Sequence, residues 1–163
     1  MKVVNSKRIG VHKPTGTGKW SITGNHELLL GTLREAARRA AQQQRSVLAS
    51  VTYPIECDDM LNVFTGARLA GLGECFFWER PVERNALVGV GAATTIETNG
   101  ITCFTDAASA WRTLLNDAVI AYVQPMPSVV SSGPVFFGGF AFDPLSPRTQ
   151  LWADFPDGLL ILP

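Results

Sequence analysis

Lysine disappears from this chain after position 19. All four lysines, at 2, 7, 13 and 19, precede Trp20. A lysine general base or Schiff-base lysine is therefore excluded from any fold built downstream of that point. Histidine is almost as scarce: His12 and His26 are the only two. They offer no pair spacing for a metal and no imidazole base deep in the chain. The three cysteines, at 57, 75 and 103, are too far apart for a zinc pattern, which uses close pairs. They read as small apolar thiols in a reducing cytoplasm. No apolar run approaches the ~18 residues of a membrane span, so no membrane contact is expected. Net charge is zero, which argues against a nucleic-acid partner, because phosphate recognition uses clustered cations.

What is present is a packed composition. Of 163 residues, 46% are hydrophobic and 17% charged, as expected for one globular unit. The balanced charge hides an asymmetry: residues 1–45 hold nine of the fourteen Lys and Arg but only the acids Glu27 and Glu35. Residues 1–24 read as a flexible basic tail and 25–163 as the folded part.

The folded part alternates in period. Residues 27–44 read as a helix with Leu29, Leu33, Ala36, Ala37 and Ala40 on one face and Asn25 as N-cap. Ser46 to Tyr53 reads as a strand ended by Pro54. Asp58 or Asp59 caps a second helix through Met60, Leu61, Phe64 and Leu69. Glu74–Glu79 and Leu87–Thr98 read as strands. Asn99-Gly100 then predicts a two-residue hairpin turn to a strand at 101–105. A third helix runs from Thr105 or Asp106 to Tyr122. Residues 124–134 form a loop, Gly133–Asp143 an aromatic strand and Leu159–Leu162 a last apolar strand. The expected class is α+β with antiparallel sheets and outer helices.

Familiar motifs fail on their details. Pro14–Lys19 resembles a phosphate loop, but Lys13 occupies the first-glycine position and Trp20 stands where a hydroxyl should hold magnesium. Gly89-Val90-Gly91 lacks the third glycine and the following helix of a dinucleotide fingerprint. No G-x-S-x-G elbow exists. The acids Glu56, Asp58, Asp59, Glu79, Glu83, Asp154 and Asp157 read as caps and solvated surface rather than a convergent metal site.

One ordered series stands out. It runs from Phe76-Phe77-Trp78-Glu79-Arg80-Pro81 to Leu87-Val88-Gly89-Val90-Gly91-Ala92-Ala93 and Ala110-Trp111-Arg112. It continues through Gly138-Gly139-Phe140-Ala141-Phe142-Asp143-Pro144, Trp152 and Phe155-Pro156. In order and spacing this resembles the N-terminal half of isochorismate synthases, which are chorismate-utilising enzymes, over roughly residues 26–163. The resemblance implies an anthranilate synthase component I-like fold. It also implies chorismate as substrate and Mg²⁺ as cofactor of the full-length enzyme. In that family a lysine base activates water, a glutamate acid protonates the departing hydroxyl and other glutamates hold the metal, all after the stretch resembled here.

The expectation is therefore a truncated N-terminal portion. No catalytic, cofactor-binding or metal residue is assigned to this chain. Its packing partner is the missing C-terminal segment, and an unpaired apolar strand is left at 159–162. The alternatives are a stand-alone small-molecule-binding or regulatory module, or the same part of a salicylate, anthranilate or aminodeoxychorismate synthase. Val47-Leu48-Ala49-Ser50-Val51 lacks the anthranilate enzymes' L-L-E-S signature, which counts against amino-acid regulation.

Overall fold

The first helix, α1 (His26–Gln43), turns a different face inward from the one its leucines suggest. Thr32 and Ala36 are buried with Leu28 half-buried beside them, an i, i+4, i+8 stripe, whereas Leu29 and Leu33 are exposed. Small side chains let α1 lie close on the strands β1 (Ala49–Thr52) and β5 (Val119–Tyr122). A computed structural model describes residues 26–53, 57, 59–123, 133–143 and 149–163. The expected tail, Asn25 and Pro54 lie outside these residues, as does all but the end of the expected loop 124–134.

Strands β1 and β5 pair in parallel, with Ala49 opposite Val119 and Thr52 opposite Tyr122. This corrects the all-antiparallel expectation. It follows from a second correction: the third helix, α3 (Cys103–Asp117), stops before Val119. The β-branched and aromatic run Val119-Ile120-Ala121-Tyr122 leaves the helix and forms a strand instead.

Asp59 caps α2 (Met60–Leu69), its carboxylate accepting from the N–H groups of Leu61 at 2.8 Å and Asn62 at 3.2 Å. Helix α2 covers an antiparallel ribbon of β2 (Cys75–Arg80) and β3 (Asn85–Val90). Met60, Ala86 and Val88 form its buried centre, with Phe64 and Phe77 packed against them.

The expected strand 87–98 is broken at Gly91, where φ is +81°. Its N–H closes the ribbon on the Glu74 carbonyl, and the Ala93 N–H then joins the Leu162 carbonyl. So β4 (Thr94–Thr98) enters another sheet, ordered β4–β7–β6 with β6 (Phe137–Phe140) and β7 (Gly158–Leu162). The aromatic strand is shorter than the expected 133–143. The apolar run 159–162, expected to lie unpaired, is the central strand and pairs on both sides.

The expected hairpin at Asn99-Gly100 is absent. Gly100 takes φ +78°, but the turn feeds α3, whose first residue donates its N–H to the Gly100 carbonyl at 3.1 Å. Residues 101–105 are turn and helix rather than strand. The turn serves β7: Gly100 N–H donates to Asp157 Oδ2 at 2.6 Å, and Asp157 N–H donates to Asn99 Oδ1 at 3.2 Å.

Aromatic rings tie the ribbon and α3 to this sheet. Phe76 stacks on Phe137 at 5.5 Å, Phe104 on Phe140 at 4.2 Å, and Trp111 meets Phe136 edge-on at 5.0 Å. The described residues thus form an α+β fold, with three helices each laid on its own small sheet.

Candidate functional site

Where α3 crosses β4 it leaves a groove of about 540 Å³. One stripe of α3 forms a wall: Asp106, Ser109, Ala110, Thr113, Leu114 and Asp117, spaced as one helical face. Thr94 and Ile96, alternate residues of β4 and hence on one side of the strand, line the floor, and Arg45 and Ser46 close one end.

The charges in this groove are already engaged. Arg45 reaches Asp117 at 2.6 Å, joining the chain after α1 to the C-terminal end of α3. Asp106 accepts from the Thr102 hydroxyl at 2.7 Å. Between these ends the walls carry small, hydroxyl and aliphatic side chains. Such a surface suits a close-lying backbone better than acid–base chemistry.

The acids singled out from the sequence do not converge. Asp59 caps α2, Glu83 pairs with Arg80 at 2.8 Å, and Glu79 and Asp154 are exposed on separate elements. Asp157 is 5% exposed and anchors the Asn99-Gly100 turn, where the sequence suggested a solvated acid. Glu56 and Asp58 lie outside the described residues. Among the described residues no three His, Cys, Asp or Glu side chains group as metal ligands. His26 is exposed at the start of α1; Cys103 is buried, and Cys57 and Cys75 are half-buried.

Among the described residues Glu35 is the one carboxyl moved far from its ordinary value. Hydrogen bonds from Arg38 and then Arg39 lower it to about 2. Both arginines lie one turn along α1, so this is a helix-surface cluster rather than a reaction centre.

The motif residues make local packing contacts. Gly89 lies beneath Pro163 and the Phe137 ring, so a side chain there would collide with Pro163 and crowd Phe137. Arg80 lies 5.7 Å over the Trp78 ring, and Trp152 contacts Phe155 at 5.4 Å. The groove escaped the sequence reading. Its only signal was a second stripe on α3, Ser109, Ala110 and Thr113, too small and too polar for core.

The same residues that build this frame carry a family pattern: the chorismate binding enzyme family matches residues 34–163. The chain belongs to that family. It is 29% identical over 130 residues to "Isochorismate synthase MenF" of Bacillus subtilis, covering 78% of this chain and 28% of that protein. It is 33% identical over 134 residues to "Salicylate biosynthesis isochorismate synthase" of Pseudomonas aeruginosa, covering 82% of this chain and 26% of that protein. The chain thus spans little more than a quarter of the length of these chorismate-family relatives. No solved structure matches it. No helix among the described residues is long and apolar enough to cross a membrane.

Proposed function

We propose that the protein to which this chain belongs isomerises chorismate to isochorismate in the cytoplasm, and that this chain supplies frame rather than reacting groups. The observation that carries the reading is a pairing of facts. Two family relatives are both named isochorismate synthases, yet the described residues here gather no metal-ligand cluster. Beyond His26 the chain contains neither lysine nor histidine, so no base of either type is at hand for water attack.

Mg²⁺ belongs to this proposal for the whole enzyme. The described acids do not fit it: a hard cation takes several convergent oxygens, and these carboxylates cap, pair or sit apart.

Large apolar side chains left in solvent support a packing role. Phe142 is fully exposed, Leu151 is 79% exposed and Trp152 57%. These side chains are read as surface that packs on further protein. The test is an assay coupled to an isochorismate-consuming enzyme. The whole protein should turn chorismate over and the 163-residue chain should not. Turnover by the chain alone, or none by the whole protein, overturns the proposal.

A further inference from the structure

The free edge of β4 lies beside the groove under α3. Strand β4 pairs with β7 on one side, and no other described strand pairs with it. An unpaired edge presents a row of N–H and C=O groups and is a template for another strand. A strand added there would lie about 4.8 Å from β4. The wall facing it is Ser109, Ala110, Thr113 and Leu114, whose small side chains let a backbone come close.

Helix α3, 15 residues long, extends about 22 Å and among the described residues packs mainly on β4 and β7, with Phe104 reaching Phe140 of β6. Its stripe over the groove faces Thr94 and Ile96 of β4, and no described strand other than β7 lies beside them. The Arg45–Asp117 ion pair stands at one end of the groove and the Thr102–Asp106 hydrogen bond at the other. The uncharged middle matches a strand that carries small or aliphatic side chains toward α3.

We infer that this groove seats a β-strand from the rest of the same enzyme, added to the free edge of β4 and roofed by α3. The occupant is assigned to the enzyme itself because this chain matches little more than a quarter of each relative. The inference rests on the reading that the chain is a share of a larger chorismate enzyme. Its test uses no substrate, so association and turnover fail separately.

The 163-residue chain and the rest of the enzyme, made as a separate polypeptide, are mixed, and their affinity is measured. Ala110→Trp and Thr113→Arg each place bulk in the groove from an exposed helix position. Each should weaken association on the order of tenfold or more, as a blocked interface centre does. Arg112→Ala, exposed and outside the groove lining, should change it less than about twofold. Amide exchange over 94–98 should be on the order of tenfold slower in the whole enzyme than in the chain alone, because a paired edge is protected. Absence of association, association indifferent to both bulky variants, or unchanged exchange at 94–98 overturns the inference. So does self-association of the chain that Ala110→Trp abolishes, which would give the groove to a second copy.

Discussion

The carboxylate of Asp157 accepts the Gly100 N–H at 2.6 Å across 57 residues of sequence. It is buried at 5% exposure, at the entry to the central strand β7. The contact fixes where β4 ends, where α3 begins and how β7 enters between its neighbours. Replacing Asp157 by Ala leaves a part-buried N–H without its acceptor. Such a loss costs about 1–3 kcal/mol, read as a lower urea midpoint with unchanged slope. An unshifted midpoint contradicts the role given to Asp157.

Gly100→Val acts on the same turn through the backbone. At φ +78° a β-branched residue is strained by about 1–2 kcal/mol. The melting temperature should fall; a variant that melts with the parent would show that the turn relaxes to negative φ.

Gly138 carries the steeper prediction. A side chain there would run into the backbone of Leu159 and Leu160 on β7. Backbone cannot swing aside as a flexible side chain can, so Gly138→Ala should cost about 3 kcal/mol or more. Gly139→Ala, with open space around it, should be close to neutral. Equal stability of the two variants would contradict the β6–β7 register.

Glu35 predicts an acid-side effect with a defined sign. Its folded value is lowered from 4.5 to about 2 by hydrogen bonds from Arg38 and Arg39. A lowered carboxyl stabilises the fold above its unfolded value and loses that contribution as pH falls through the folded one. The contribution is therefore present above 4.5 and gone once the pH is below about 2. NMR titration of the Glu35 side chain should find its midpoint near 2, and Arg38→Ala should move it upward. A midpoint at the ordinary value would show that these surface contacts do not persist in solution.

The helices were legible because their signals are local. The Asp59 cap and the apolar periodicity bring the bounds of α2 close to expectation. Periodicity also places α3, although it ends five residues before the expected Tyr122. What failed depended on distant partners. Asn99-Gly100 reads as a hairpin in isolation, and only Asp157 makes it the mouth of a helix. The segment 87–98 reads as one strand until Glu74 and Leu162 claim its two halves. Val119–Tyr122 continued a helical stripe and was drawn into a parallel pair by β1. Of the face expected for α1, Ala36 is buried as read, but close approach to β1 and β5 selected Thr32 beside it in place of Leu29 and Leu33. The groove under α3 left only the Ser109, Ala110 and Thr113 stripe as a trace in the sequence, and such residues on a helix are ordinary surface residues. The family pattern was readable because its aromatic and glycine motifs are rare combinations in a fixed order.

Product identity tests the central claim most directly. Chorismate incubated with the whole protein and Mg²⁺ should give isochorismate in the NMR spectrum of the reaction. The 163-residue chain under the same conditions should leave chorismate untouched. Isochorismate formed by the chain alone, or salicylate, anthranilate or aminodeoxychorismate as the whole protein's product, would contradict the account.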